Sequence, residues 1–188
     1  MAEAPALKVT PTALPEVLIL EPRVFGDDRG FFLESWNERV FREATRVEAR
    51  FVQDNHSRSA RHVLRGIHYQ VVRPQGKLVR VTRGAVLDVA VDLRRSSPRF
   101  GQWVALELTG DVHRQLWIPP GFGHGFLVLS ETADFLYKTT EFRWAEHERG
   151  VAWNDPTLQV DWQLGRHLPQ LAAKDRAAPG LEAAELYD

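Results

Sequence analysis

The sequence contains no cysteine, which excludes disulfide bonds, zinc–thiolate sites and cysteine nucleophiles. It also lacks a charge excess, because 24 basic residues face 25 acidic ones. This balance argues against general binding to nucleic acid or to an acidic membrane surface, although it allows a local basic pocket. The longest apolar runs, such as 17–20 and 126–129, are too short to span a bilayer. The N-terminus lacks the pattern of a signal peptide, so we expect a cytoplasmic protein.

Nucleotide-binding signatures are missing as well. The sequence has neither a G-x-G-x-x-G fingerprint nor a P-loop, and it does not alternate strands with helices. Its 188 residues, 44% hydrophobic and 26% charged, fit one globular domain (1–188) with a sizeable core. Residues 1–15, rich in proline and alanine, predict a loose N-terminal arm. Residues 160–188 predict an irregular C-terminal extension with a short helical piece near 170–178.

The pattern that is present is a succession of short strands. Segments rich in Val, Leu, Ile and Phe alternate with turns of Gly, Pro, Asp and Ser. Strands are expected near 17–20, 30–35, 50–56, 62–70, 77–83, 85–93, 102–109, 114–118, 124–130 and 133–142. Before the C-terminus only residues 37–45 predict a helix, which Asn37 can cap. Strands at spacings of about ten residues predict an all-β sandwich or barrel, and a jelly-roll barrel with an open mouth fits.

His68 is the first candidate functional residue, because it lies inside the apolar segment 63–70. A lone histidine in such a segment is at least as often a structural core residue, bonded to a backbone carbonyl, as a functional one. Arg65 lies three residues away, so strict strand alternation puts the two side chains on opposite faces. A bulge at Gly66 would bring both into one pocket.

Two further segments carry polar groups into predicted strands. A turn rich in Pro and Gly, within residues 117–126, delivers His124 to the start of a strand, and such a turn is expected at the barrel rim. In the segment FLYKTT, alternation puts Phe135, Tyr137 and Thr139 on one face. A tyrosine facing a barrel interior needs a partner for its hydroxyl, but a simple turn histidine and a rim tyrosine explain these residues equally well.

Charged residues complete a set that suits proton transfer. Lys77 begins a strand, and Arg29 and Glu34 flank the strand 30–33. The simplest explanation of each charge is a solvent-exposed residue at the end of a strand. Together with His68 and Tyr137, however, these residues supply a base, an acid and cationic anchors. Such a set suits proton abstraction next to a carbonyl group.

A metal site is not expected around His68. Metal-binding jelly-roll enzymes need two histidines one residue apart, a nearby glutamate and a distant histidine. Here the equivalent place reads His-Tyr-Gln, with one histidine and no nearby carboxylate. Three suitable ligands cannot be assembled from the local sequence.

Eight segments, which follow one another in the order of the family, resemble the dTDP-4-dehydrorhamnose 3,5-epimerase family, and together they cover nearly the whole chain. They are EPRVFGDDRGFFLESWN (21–37), FVQDNHSRSARHVLRGIHYQ (51–70), QGKLVRVTRGAVLDVAVDLR (75–94), SSPRFGQWVALEL (96–108), RQLWIPPGFGHGF (114–126), FLYKTT (135–140), WNDP (153–156) and AAKDR (172–176). The resemblance implies a cupin-type jelly roll, a homodimer, and epimerisation of a dTDP-4-keto sugar at carbons 3 and 5 in dTDP-L-rhamnose synthesis. No cofactor is expected, because the ketone is kept throughout.

The resemblance also implies roles for individual residues. His68 matches the catalytic base, Asp175 its paired carboxylate, Tyr137 the general acid, and Lys77 the residue near the ketone oxygen. Phe142 stands where an aromatic residue, often tyrosine, stacks on thymine, so the hydroxyl is lost here. The other positions matched to contacts with the sugar nucleotide are Arg29, Glu34, Gln53, Asp54, Asn55, Arg65, His124, Glu148 and Lys174.

Three alternatives stay open. A relative that epimerises a single carbon is the nearest, although Tyr137 favours double epimerisation. A metal-dependent cupin oxygenase or isomerase is the second, and a non-catalytic sugar-nucleotide binding module is the third. A paired base and acid argue against the last, because binding alone needs neither.

Overall fold

The computed structural model describes residues 5–188, and strands dominate them. The strands are β1 Leu7–Pro11, β2 Leu18–Pro22, β3 Val24–Asp27, β4 Gly30–Leu33, β5 Gln53–Ala60, β6 Leu64–Gln70, β7 Lys77–Arg83, β8 Ala85–Asp92, β9 Trp103–Thr109, β10 Gln115–Ile118, β11 Phe122–Val128, β12 Thr132–Thr139 and β13 Glu148–Gly150. The helices are α1 Glu38–Thr45 and α2 Ala173–Arg176, and a 3-10 turn spans Ala145–His147. The prediction of an all-β protein with a few short helices is confirmed. No helix in the described part is long and apolar enough to cross a membrane.

Two antiparallel sheets face each other. One has the strand order β1-β2-β10-β7-β12-β5, and the other has the order β13-β6-β11-β8-β9. Strands β3 and β4 form a separate hairpin. Non-consecutive strands lie side by side in both sheets, which is the arrangement of a double-sheet jelly roll. A ligand can therefore enter between the sheets at an open end.

The five-stranded sheet is buried on both faces, and this explains the apolar run of β8. Val86 and Ala90 belong to the core between the two sheets. Leu87, Val89 and Val91 alternate with them and pack on the other side, beneath the C-terminal segment. One strand thus contributes to two cores.

Helix α1 begins where the sequence predicts. The Asn37 side chain accepts a hydrogen bond from the Val40 amide, which satisfies one of the free donors of the first turn. Its buried residue, Phe41, packs against Trp117 and Leu78 on the outer face of the six-stranded sheet. The helix closes that face and leaves the interior between the sheets open.

The ten predicted strand segments all coincide with strands, but the expected loose N-terminal arm is wrong. Strand β1 pairs with β2 from Leu7↔Pro22 to Pro11↔Leu18 and forms the edge of the six-stranded sheet. Proline is tolerated at such an edge, because its missing N–H faces away from the sheet. Residues 1–4 of the predicted arm lie outside the described residues. The short strands β3 and β13 were also missed.

The C-terminal segment is irregular, as predicted, with the short helix α2 inside the expected range. It covers the outer face of the five-stranded sheet, where Trp162 and Leu181 are buried. The Tyr187 hydroxyl donates to the carbonyl of Gln70 at 2.6 Å, which fixes the end of the segment on β6. The segment therefore stays beside the strand that carries His68.

Candidate active site

A cavity of about 600 Å³ opens between the two sheets. Side chains from both sheets and from the C-terminal segment line it. Ten of the residues expected at the site are among them: Gln53, Asn55, Arg65, His68, Lys77, His124, Tyr137, Glu148, Lys174 and Asp175. The volume is in the range of pockets that bind small organic ligands.

His68 and Asp175 form a hydrogen-bonded pair in this cavity. The His68 Nε2 lies 2.5 Å from the Asp175 Oδ1, and the Asp175 side chain is almost completely buried. A bridge between Val63 and Gln170 ties the C-terminal segment to the start of β6, and the Gln170 amide donates to the His62 carbonyl at 2.7 Å. These backbone contacts position the C-terminal segment so that Asp175 lies beside His68.

The His68 ring is tuned by two opposing effects. Burial lowers its pKa from the ordinary 6.5, because a buried cation is poorly solvated, while Asp175 raises the pKa. Burial is the larger effect, so the pKa is lowered overall and the ring is neutral at pH 7. Asp175 was expected to favour the protonated ring, and it does so without reversing the effect of burial. A neutral imidazole held by a carboxylate is able to accept a proton.

A bulge in β6 brings Arg65 and His68 to one cavity. His68 pairs with His124 of β11, whereas Arg65 pairs with Phe126. Between these pairs, Gly66 and Ile67 of β6 oppose the single residue Gly125 of β11, so the alternation shifts by one. The predicted bulge is confirmed, and Gly66 lies within it at a φ of 123°.

Lys77 lies deep in the cavity at the start of β7. Its Nζ lies 3.4 Å from the His68 carbonyl oxygen, to which it donates. Burial lowers its pKa to about 8, against the raising effects of Asp88 and Glu148. The ammonium group is therefore mostly charged at pH 7 but is close to losing its proton.

Tyr137 projects into the same cavity from β12. Phe135 and Thr139 also line the cavity, which confirms the predicted shared face. Burial is the main cause that raises the pKa of the Tyr137 hydroxyl, and Glu148 adds to it. The phenol is therefore protonated at neutral pH and can donate a hydrogen bond or a proton.

His124 is buried inside the barrel, so the alternative of a surface histidine in a turn is wrong. Its side chain is 8% exposed, and its Nε2 lies 2.9 Å from the Asp88 Oδ2. Asp88 is fully buried and was missed in the sequence. Its signal was present, since it is a lone carboxylate between Leu87 and Val89 in an apolar strand.

An ion-pair cluster surrounds the cavity mouth. Arg143 donates from Nε and Nη2 to the two carboxylate oxygens of Glu148 at 3.1 and 2.9 Å. The Lys174 Nζ lies 3.6 Å from the same carboxylate. The hydrogen bonds from Arg143 are the main cause that lowers the Glu148 pKa to about 2. Arg143 was not predicted from the sequence, because no pattern distinguishes this basic residue after Phe142 from other arginines.

Four expected site residues are absent from the cavity lining of this chain. Arg29 pairs with Asp27 at 2.5 Å, and Glu34 accepts from the Asn37 side chain, both away from the cavity. The other two are Asp54, which pairs with Lys138, and Phe142, which is 53% exposed.

Strand alternation explains Asp54. Gln53 and Asn55 face the cavity, so the residue between them faces outward. Among the described residues, no three His, Asp or Glu side chains are grouped as metal ligands. The cavity thus brings together a neutral base, a protonated phenol and a buried ammonium group, which can move protons next to a carbonyl group.

Comparisons with known proteins agree with this chemistry. The family described as dTDP-4-dehydrorhamnose 3,5-epimerase matches residues 11–183. The dTDP-4-dehydrorhamnose 3,5-epimerase of Pseudomonas aeruginosa is 59% identical over 181 residues, which cover 96% of this chain and 99% of that protein.

Two solved structures are also similar. The dTDP-6-deoxy-D-glucose-3,5-epimerase of Legionella pneumophila, in complex with dTDP-4-keto-L-rhamnose, is 48% identical with a TM-score of 0.93, covering 96% of this chain and 97% of that one. A 3′-monoepimerase of Streptomyces bikiniensis, in complex with dTDP-quinovose, is 32% identical with a TM-score of 0.86, covering 92% and 87%. Fold, cavity and sequence therefore agree that this chain is a member of the dTDP-4-dehydrorhamnose 3,5-epimerase family.

Proposed function

We propose that this chain epimerises dTDP-4-dehydro-6-deoxy-D-glucose at carbons 3 and 5, giving dTDP-4-dehydro-L-rhamnose through enolate intermediates. The observation that carries the proposal is the His68–Asp175 pair in one cavity with Lys77 and Tyr137. The Legionella structure, described as a complex with dTDP-4-keto-L-rhamnose, supports this choice of substrate class.

His68 acts as the base at both centres. The ketone at carbon 4 acidifies the protons on carbons 3 and 5, so one base beside the ring serves each in turn. When the His68 ring takes the proton, the electrons of the C–H bond move to the ketone oxygen and form an enolate. Asp175 holds the ring in one tautomer and stabilises the imidazolium that forms.

Lys77 and Tyr137 complete each cycle. The Lys77 ammonium group stabilises the negative charge that develops on the ketone oxygen, and its burial strengthens that interaction. Tyr137 delivers a proton to the opposite face of carbon 5, and solvent does so at carbon 3. The enolate electrons then form the new C–H bond, and the ketone is restored.

The remaining cavity residues bind the sugar nucleotide. Gln53 donates to Asn55 at 2.8 Å, so these amides are fixed in orientation on β5. Arg65 and Lys174 supply positive charge near the mouth, while His124, held by Asp88, lies deeper. Phe142 is exposed, precedes the cavity residue Arg143 in the chain, and offers a face for stacking on thymine.

A homodimer completes the site in this proposal. The β3–β4 hairpin exposes four large apolar side chains, of which Phe31 and Phe32 are 63% and 66% exposed. An apolar patch of this kind is typical of an interface. If the hairpin packs on a second copy, Arg29 and Glu34 at its ends reach the cavity of that partner. The cytoplasmic location stays a prediction from the sequence.

Deuterium exchange tests the function directly. Purified protein would be incubated with dTDP-4-dehydro-6-deoxyglucose in deuterated water, and incorporation at each carbon would be followed by NMR. The proposal predicts deuterium at both carbon 3 and carbon 5 and the L-rhamno product. Incorporation at one carbon alone would make the chain a single-site epimerase, as the likeness to the 3′-monoepimerase allows. No incorporation at either carbon contradicts the proposal.

A further inference from the structure

Arg143 lies at the mouth of the cavity, among the more exposed residues of its lining. Burial decreases from the almost buried Lys77 and Asp175 to Glu148 at 26% side-chain exposure, and then to Lys174 and Arg143 at 55% and 58%. If the keto sugar binds among the buried groups, the part of the ligand at the mouth is its nucleoside diphosphate. Arg143 therefore lies where a negatively charged group must pass or bind.

We propose that Arg143 is a substrate-binding residue that contacts a diphosphate oxygen of the sugar nucleotide. This inference rests on the proposed function, because it takes its ligand from there. It adds a cation that neither the sequence motifs nor the family resemblance assigns to the site.

The hydrogen bonds of Arg143 hold its side chain ready for a second acceptor. A guanidinium carries five N–H donors, and the carboxylate of Glu148 engages Nε and Nη2. The Arg143 backbone amide also donates to the Gln53 side chain at 3.2 Å, which fixes the residue against β5. Within the described chain, Nη1 makes no hydrogen bond. A guanidinium group that is already held on one edge loses little conformational entropy when its other edge binds a phosphate.

The charges at the mouth favour the same ligand. Three cationic side chains, those of Arg65, Arg143 and Lys174, line the cavity together with the carboxylate of Glu148. Glu148 alone would repel a diphosphate, and its low pKa keeps it ionised at all working pH values. Arg143 thus cancels this repulsion and, with the other two cations, leaves a net positive mouth. A role limited to neutralising Glu148 is the competing explanation.

Binding measurements on the full-length protein distinguish these explanations. Affinities for dTDP and for thymidine would be measured by NMR titration of the unmodified protein and of Arg143→Gln. Loss of a charge-assisted hydrogen bond predicts about tenfold weaker dTDP binding with thymidine binding unchanged. Equal weakening of both ligands would place the contact on the base and overturn the proposal. Unchanged dTDP affinity would overturn it as well.

Arg58→Gln is the matched control. Arg58 makes the same two-bond pairing with a carboxylate, from Nε and Nη2 to Asp134 at 2.6 and 2.7 Å, and is similarly exposed, but it does not line the cavity. This variant should bind dTDP as the unmodified protein does. If it weakens binding equally, the effect is one of total charge, and the proposed contact is wrong.

The double variant Arg143→Gln/Glu148→Gln tests the competing explanation. It removes both charges and keeps the total charge of the mouth. Weaker dTDP binding in this variant than in Glu148→Gln alone supports a direct contact of Arg143, whereas equal binding in the two variants means that Arg143 only neutralised Glu148. If the unmodified protein binds no dTDP, the proposed function itself fails, which is a different result from a silent Arg143 substitution.

Discussion

The His68 Nε2 and the Asp175 Oδ1 are 2.5 Å apart, although 107 residues separate the two in the chain. The contact joins the middle of β6 to α2, so it forms only when the C-terminal segment has packed on the five-stranded sheet. It occupies one ring nitrogen and leaves the other to accept a proton. The proposed base therefore depends on a correctly docked C-terminal segment.

Replacement of His68 by alanine should abolish exchange at both carbons. If His68 is the sole base, the rate falls by more than the ~10²–10⁴-fold typical of one general base. Deuterium incorporation at carbons 3 and 5 would be followed separately by NMR. His167→Ala removes an exposed histidine outside the cavity lining and serves as the control, with near-normal exchange. Substantial exchange at either carbon in His68→Ala would show that a second base exists.

Two titrations should limit activity on either side of neutrality. As the pH falls, His68 takes up a proton and stops acting as a base, at a pKa below the ordinary 6.5. As the pH rises through about 8, Lys77 loses the charge that stabilises the enolate. The profile of kcat/KM, which reports the free enzyme, is expected to be bell-shaped.

Lys77→Met tests the alkaline side of that profile. The variant should lose about 10²–10³-fold in kcat, as when an oxyanion donor is removed. Its residual activity should no longer decline near pH 8, while the acid side stays as before. A decline near pH 8 that persists in Lys77→Met would assign it to another group.

Tyr137→Phe should separate the two carbons. The substitution keeps the ring and removes the hydroxyl that, in the proposed mechanism, delivers a proton at carbon 5, so exchange there should fall about 10²-fold. Exchange at carbon 3, where solvent delivers the proton, should change only a few-fold. Both rates would be read from one NMR time course. Equal losses at both carbons would refute the division of roles.

Local sequence patterns predicted most strands because alternation and turn residues are local properties. Helix α1 was predicted with its cap for the same reason, since Asn37 and Val40 are three residues apart. Strand β1 was missed because two prolines flank a short alternating segment, and only its pairing with β2 stabilises it. The bulge at Gly66 could be predicted because two polar side chains of one strand needed the same face.

The site was predicted less evenly. The pairing of His68 with Asp175 came from family resemblance, since no local pattern connects residues so far apart. Asp88 was missed because its partner, His124, lies on a neighbouring strand, although a carboxylate in an apolar strand was a usable signal. Arg143 was missed because an arginine that follows a strand is usually a solvent-exposed residue with no role in binding.

The exposed hairpin predicts the oligomeric state. Phe31→Glu would put a charge into the apolar patch of β3 and β4, so a homodimer that uses this patch should dissociate. Activity should fall with it, because in the proposed dimer Arg29 and Glu34 reach the partner's cavity. Light scattering and the exchange assay would be run together. Leu168→Glu is the control, since Leu168 is 84% exposed outside the hairpin. A Phe31→Glu variant that stays dimeric would exclude this interface.

Gly66→Ala should destabilise the fold at the active site itself. Gly66 has a φ of 123°, and a Cβ there would lie 2.7 Å from the His124 carbonyl oxygen and would overlap the Gly125 Cα. Backbone strain and crowding together should cost about 2–4 kcal/mol in the free energy of unfolding. Gly30→Ala separates the two causes, because Gly30 has a φ of 125° with nothing within 4 Å of the added Cβ. In that variant only backbone strain should lower the free energy of unfolding, by about 1 kcal/mol. Urea denaturation would measure both, and equal losses would mean that the close approach of β6 and β11 at Gly66 adds nothing to the cost of a Cβ there.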